Sequence, residues 1–393
     1  MTAPCRLSRP AVICSLGADH ERIVQALRDG RRGLTDSDRY TPGRPLALGA
    51  IEAPLADAEG WPAEWASRNN RLIASALAAL GEALDAALSH HAPERIAVVM
   101  GTSTSGISET EAAIARCGPG QPFDERYRYA HQELGAPAHF IRDRLGLAGP
   151  AWTISTACSS GARALSAARR LLLSGQADAV IAGGADTLCG LTINGFDALG
   201  AISDTACQPF TAERGGINIG EAAALFVVTR ETGGIQLTGY GESSDAHHIS
   251  APDPEGSGAL KAMRAALDMA GRRPAEVDYL NLHGTATRHN DAMEARALHA
   301  LFGDAAPPAS ATKALTGHTL GAAGALEAAF CWLALERGFY PRHVHELPLD
   351  PTLMPLTLIE AGFDRSPPRL ALSNAFAFGG NNAALLLERT DDA

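Results

Sequence analysis

The chain has 393 residues, 46% hydrophobic and 20% charged, which gives room for two large fused halves and excludes a disordered or fibrous polymer. A formal charge of −11 argues against non-specific adhesion to nucleic acid or anionic lipid. Seven cysteines, odd in number and without CxxC spacing, exclude a disulfide framework or zinc ribbon, and no run of about 18 apolar residues is present to span a membrane, so a reducing, cytoplasmic location is expected.

Taken in chain order, Arg71–Leu88 has Ala and Leu at helical spacing, and Ile96–Met100 is a short β-branched run closed by glycine. A buried strand at Trp152–Ile154 then leads into a helix over Ser159–Leu173, and Ala179–Ala182 and Leu225–Val228 form further strands. Beyond them, helical spacing marks Gly258–Ala270, Asp291–Leu301 and Gly321–Leu335, and Leu385–Leu387 closes the series as a strand. Such alternation predicts an α/β architecture with largely parallel sheets.

The chain also repeats itself. Thr156-Ala-Cys158-Ser-Ser-Gly161-Ala162 recurs 160 residues later as Thr316-Gly-His318-Thr-Leu-Gly321-Ala322, and each copy enters an Ala-rich helix. Gly220-Glu-Ala-Ala-Ala-Leu225 is echoed by Gly379-Gly-Asn-Asn-Ala-Ala-Leu385, and Met100-Gly-Thr-Ser-Thr104 by His283-Gly-Thr-Ala-Thr287. Two similar halves are implied, 1–235 and 236–393. Packed about a pseudo-twofold axis, they would bring Cys158 and His318 to equivalent positions at one interface.

Four segments can carry chemistry. Cys158 follows a strand and a sharp turn and precedes a helix, a setting that exposes a nucleophile and lowers a thiol pKa through the helix dipole. His283 ends an apolar run, at the strand edge where α/β folds place their sites, and His318 lies in a Gly/Thr-rich loop. Asn374-Ala-Phe376-Ala-Phe378-Gly-Gly380 packs small residues around two aromatics, so its backbone N–H groups could form an oxyanion hole. The His90-His91 and His247-His248 pairs lack further ligands at metal spacing, and no metal site is expected.

In order, Thr156–Gly161, His283–Thr287, Lys313–Gly324 and Asn374–Asn382 resemble the four signatures of the β-ketoacyl-[acyl-carrier-protein] synthases, over nearly the whole chain. The resemblance implies the thiolase fold, two duplicated βαβαβαββ halves in a five-layered α-β-α-β-α arrangement. It implies that Cys158 takes an acyl chain from a carrier-bound phosphopantetheine, while His283 and His318 stabilise the enolate formed when a malonyl unit loses carbon dioxide. Lys313 would orient His283, and Glu294, Asn374 and Phe376 would support the site. Cys158 and Phe378 would supply the oxyanion-hole N–H groups, with Phe378 also a gate, and Thr285 and Thr287 would bind pantetheine. Arg68 and Arg71 would dock an acidic acyl carrier protein.

Implied partners are that carrier and either a second copy or a paralogous ketosynthase-like subunit, without metal or separate cofactor. Ala286, Ala377 and Asn381 depart from the usual residues of these motifs and bear on pantetheine fit and gate movement, and the wording Arg214-Gly-Gly-Ile-Asn-Ile-Gly-Glu221 resembles aryl-polyene condensing enzymes. A thiolase-type acyltransferase, which uses a second cysteine near the C-terminal Gly-rich loop, and a non-catalytic chain-length subunit, which generally lacks the nucleophile, are the alternatives. Treatment with iodoacetamide or cerulenin, followed by intact mass and peptide mapping, should label Cys158. Labelling confined to another cysteine would refute the assignment.

Overall fold

The computed structural model describes residues 3–118 and 120–391, so the outermost residues of both expected halves lie outside it. Strands β1 (Arg6–Leu7) and β2 (Ala11–Cys14) open the chain, followed by α1 (His20–Asp29) and a small hairpin of β3 (Thr35–Ser37) and β4 (Leu46–Leu48). Next come α2 (Arg68–Leu80), α3 (Glu82–His90), β5 (Ile96–Gly101), α4 (Ile107–Ala115), α5 (Ala136–Leu145) and β6 (Ala151–Ile154). Helix α6 (Ser160–Leu173), β7 (Ala179–Asp186), α7 (Gly190–Ala198) and β8 (Ala222–Thr229) complete the first half.

The second half runs β9 (Gly234–Ser244), α8 (Ser257–Ala270), β10 (Tyr279–Asn281), α9 (Arg288–Phe302), β11 (Ala309–Ser310), α10 (Lys313–Thr316), α11 (Ala323–Arg337), β12 (Leu370–Ala377) and β13 (Asn381–Thr390). The expected helix over Arg71–Leu88 is two helices, bent by 83° at Gly81, whose φ of 49° no helix interior adopts. Among the described residues no single helix is long and apolar enough to cross a membrane.

The duplication is visible in the sheet. In the first half β5 pairs in parallel with β6 and β7, and β8 runs antiparallel to β7 and β2. In the second, β10 pairs in parallel with β11 and β12, and β13 runs antiparallel to β12 and β9. Short β1 bridges β8 and β9, joining both sets into one sheet of 11 strands. The expected largely parallel sheet is therefore mixed. β12 and β13 are joined with no α-helix between them and so lie antiparallel, and β8, which follows the short α7, likewise returns antiparallel to β7.

Side-chain alternation fixes the layers. In β8, Ala222, Ala224, Phe226 and Val228 face the central core, while Ala223, Leu225 and Val227 face the core under α2 and α5. In β13, Ala383, Leu385 and Leu387 likewise face inward, while Ala384 and Leu386 pack beneath α8 and α9. Strands buried on both faces read as continuous apolar runs, as these do. Helices α6 and α11 form the layer between the two sets of strands, and α11 is buried from Ala323 to Leu335. A helix apolar all round belongs in such a place.

The two central helices cross at their N-terminal ends with almost no space. A Cβ on Gly161 would lie 2.8 Å from the Ala325 nitrogen, and one on Gly324 would lie 2.7 Å from the Ala162 nitrogen. Neither obstacle is a side chain that can rotate away. Gly324→Val should therefore lower the chemical denaturation free energy by about 3 kcal/mol or prevent folding; an unchanged midpoint would show that the crossing can yield.

Candidate active site

The two copies of the repeated segment meet at this crossing. Each places its side chain from a sharp bend: Ala157, before Cys158, has φ 50°, and Gly317, before His318, has φ 73°. Ala157 is held in this unfavourable region by Ser160, whose Oγ donates to the Ala157 carbonyl at 2.5 Å and accepts from the Thr156 nitrogen at 2.9 Å. His318 Nε2 stands 2.9 Å from Cys158 Sγ. The equivalence inferred from the repeat is a direct contact.

Backbone donors then set the chemistry of His318. The Leu320 N–H donates to His318 Nδ1 at 3.3 Å, so the neutral ring carries its proton on Nε2 and presents it to Cys158. Lys313 does the same for the second imidazole: its Nζ lies 3.3 Å from His283 Nδ1 and donates to the His283 carbonyl at 2.6 Å. The third donor of the ammonium goes to Glu327 Oε1. The rings of His283 and His318 meet edge to face with centroids 5.5 Å apart, and Phe376 packs on His283 at 6.0 Å.

Burial, with the Lys313 charge added, holds His283 and His318 well below the usual imidazole range, and both stay neutral. The donor atoms of Cys158, His283 and His318 lie within 4.8 Å of one another, which could suggest a metal site. With both Nδ1 atoms accepting hydrogen bonds, each Nε2 carries a proton rather than a free lone pair, so this donor set does not suit a cation.

Cys158 itself departs from expectation. Burial pushes its thiol up to about 12, against the pull of Lys313 and of the Phe378 and Cys158 backbone N–H groups. The expected lowering by the α6 dipole is outweighed because the sulfur sits in the packed junction, only 4% exposed. The Phe378 and Cys158 N–H groups that favour the thiolate are the pair expected to form the oxyanion hole.

Around this centre the remaining expected residues take definite places. Glu294 accepts from the His283 and Gly284 nitrogens, both at 2.8 Å, and from Asn374 Nδ2 at 3.2 Å. It holds the loop rather than the ring, and burial raises its carboxyl to about 7. Thr285 and Thr287 line a cavity of ≈ 570 Å³ that also reaches Cys158, both histidines, Phe376 and Phe378. Their hydroxyls are 3.0 Å apart. Half-buried Phe378 rests on Phe196 of α7, with centroids 5.4 Å apart.

Ala286, where glycine was expected, does adopt a positive φ of 61°. Ala377 and Asn381 face each other across the β12–β13 pairing.

Arg68 and Arg71, expected to dock a carrier, are half-buried and each is bonded within the chain. Arg68 is bound to buried Glu221 at 2.5 and 3.0 Å, and Arg71 Nε donates to the Ala56 carbonyl at 2.7 Å. A buried carboxylate claims the first guanidinium and an unpaired carbonyl the second. The exposed basic residues at the cavity are Arg288 and His289.

Glu327 was missed from sequence. It is the one charge between Ala323 and Leu335, and a carboxylate inside so apolar a helix requires a buried cation, which could have revealed it. Burial lifts its carboxyl to about 7, opposed by Lys313.

With a thiol near 12, the thiolate fraction grows with every step in pH across the working range. Carboxamidomethylation of Cys158 should accelerate about tenfold per pH unit from 7 to 10. A plateau below pH 8 would show that the helix dipole overcomes burial.

Comparison with known proteins gives one answer. The family described as Beta-ketoacyl synthase, N-terminal domain, matches residues 11–233, and Beta-ketoacyl synthase, C-terminal domain, matches residues 235–346. The 3-oxoacyl-[acyl-carrier-protein] synthase 2 of Staphylococcus aureus is 34% identical over 348 residues, covering 82% of this chain and 83% of the relative. A chain of the ketosynthase–chain length factor complex from Xenorhabdus doucetiae is 44% identical with a TM-score of 0.93, covering 99% of this chain and 98% of that one. A beta-ketoacyl synthase from Burkholderia phymatum is 28% identical with a TM-score of 0.87, covering 99% and 100%.

Proposed function

From the fact that this chain belongs to the β-ketoacyl synthase family, we propose that its paired Nε2–H donors and buried thiol carry out decarboxylative Claisen condensation of an acyl chain with a malonyl unit, both delivered on acyl carrier protein. The observation that carries the reading is the Cys158–His318 contact, with His283 beside it, at the floor of the Thr285/Thr287 cavity.

First, Cys158 sulfur attacks the acyl thioester. The carbon–sulfur bond to pantetheine breaks, and the cysteine proton leaves on the pantetheine thiol. His318 is a donor in this tautomer, so its part is to stabilise the developing thiolate rather than to take the proton. In the second step the malonyl thioester oxygen sits between the Nε2–H groups of His283 and His318. The bond to the carboxylate breaks, carbon dioxide departs, and the electron pair becomes an enolate held by two neutral donors.

Its carbon attacks the acyl-Cys158 carbonyl. The tetrahedral oxyanion faces the N–H groups of Cys158 and Phe378, then collapses with expulsion of the Cys158 thiolate. The thiolate takes a proton from solvent to restore the resting thiol, and the products are a β-ketoacyl-carrier, the free thiol of the carrier that delivered the acyl chain, and carbon dioxide. Charge is handled throughout by N–H donors and no electron is exchanged with a redox partner, so the scheme uses no cofactor beyond the carrier's phosphopantetheine.

For the pathway, likeness to the Xenorhabdus chain at 44% identity, against 34% to the Staphylococcus synthase, favours polyketide or aryl-polyene elongation over housekeeping fatty-acid synthesis. That complex pairs a ketosynthase with a chain length factor, and a paralogous subunit is the partner we infer here. Edge strand β6 supports this, with Trp152 36% exposed on an unpaired flank. Seven free thiols fit a cytoplasmic setting.

Cys158→Ala should abolish condensation. Cys158→Gln should lose condensation yet still release carbon dioxide from malonyl-carrier, and adding His283→Ala or His318→Ala should remove that release. Isotope-labelled carbon dioxide measures it, and undiminished release from either double variant would overturn the enolate role.

A further inference from the structure

Buried Asp186, the last residue of β7, lies outside the cavity and takes no part in the scheme above, yet it gathers more donors than any carboxylate in the site. The Thr102 and Thr104 hydroxyls donate to it at 2.5 and 2.8 Å, and the Ser103 and Thr104 nitrogens at 2.9 and 3.0 Å. These belong to the Gly-Thr-Ser-Thr loop whose echo in the second half carries His283. The fifth donor comes from the other half: the Gly321 N–H reaches Asp186 Oδ2 at 2.6 Å.

Gly321 closes the bend that begins at His318. The front of the bend is pinned to the first half, with the His318 nitrogen donating to the Asn218 carbonyl at 2.6 Å and the Gly220 nitrogen to the His318 carbonyl at 2.9 Å. Between these anchors Leu320 is held at φ 49°, a left-handed conformation that a γ-branched side chain does not adopt unaided. The N–H of this residue is the donor to His318 Nδ1.

We propose that Asp186 is a positioning residue for His318: by anchoring the Gly321 N–H it keeps Leu320 left-handed, aims the Leu320 N–H at Nδ1, and so holds the His318 proton on Nε2 facing Cys158. Without that acceptor the bend relaxes, the Leu320 N–H leaves the ring, and Nδ1 is free to take the proton. His318 then offers a lone pair where the reaction needs a donor. The geometry also explains why a carboxylate of the first half reaches into the second. It ties the loop that resembles the His283 loop to the loop that carries the other histidine.

The inference rests on the proposed role of His318 as an Nε2–H donor, and nitrogen-15 NMR of the imidazole rings tests it separately from catalysis. Assigned through His318→Ala, the wild-type His318 ring should be the Nε2–H tautomer, and an Nδ1–H ring would overturn the proposal without any Asp186 variant. In Asp186→Asn the His318 signals should move toward the Nδ1–H tautomer. In the Cys158→Gln background the same change should cut kcat for malonyl-carrier decarboxylation at least tenfold, with KM held within twofold.

Thr102→Val, which removes one hydroxyl from Asp186 but leaves the Gly321 bond, should lower stability while leaving tautomer and rate unchanged. Asp186→Asn with wild-type ring signals and rate would overturn the proposal, as would a Thr102→Val effect equal to it. If Cys158→Gln alone fails to decarboxylate, the proposed reaction is at fault, and the tautomer measurements still decide the role of Asp186.

Discussion

Everything at this site depends on two helix N-termini from different halves of the chain approaching to backbone contact. Gly161 of α6 and Gly324 of α11 permit the approach, and it sets Cys158 Sγ 2.9 Å from His318 Nε2. Such proximity has a cost. The sulfur is removed from water, and burial raises its pKa more than the surrounding N–H groups and Lys313 lower it. The thiol is therefore kept protonated in the resting protein and surrounded by donors that favour its anion. A nucleophile so arranged is released only when a substrate accepts its proton.

The imidazoles follow the same logic with the opposite charge. Burial and the neighbouring Lys313 keep both rings neutral, and acceptors are denied to their Nδ1 atoms by hydrogen bonds from the Leu320 backbone and from Lys313. Each ring is left with one proton, aimed inward. Lys313 can stand there because Glu327 compensates its charge, and a buried ion pair with this geometry is strongly disrupted by loss of either member. Carboxylates do comparable work on the backbone, Glu294 under the His283 loop and Asp186 under one loop from each half.

Much of this was legible before any coordinates. The repeat located the halves and equated Cys158 with His318, because a pseudo-twofold arrangement superposes equivalent segments. The residue pattern also marked His283 and the loop of Phe378, motif resemblance added Lys313 and Glu294, and the fold brings all four to one centre. The partners of Arg68 and Arg71 were not legible, because an arginine looks the same in sequence whether it meets solvent alone or also a buried carboxylate such as Glu221. Glu327 was overlooked in an apolar helix where its charge was itself the clue.

Composition, periodicity and repetition determined the strands and helices, the duplication and the reactive side chains, since each is a property of residues close in sequence or of one segment compared with another. Only the tertiary structure decided which thiol is desolvated, which nitrogen of each imidazole carries the proton and which carboxylate holds which loop. Those outcomes depend on the direction of individual N–H bonds and on burial between segments far apart, as in the Asp186–Gly321 bond across 135 residues. Spacing in a sequence carries no information about direction.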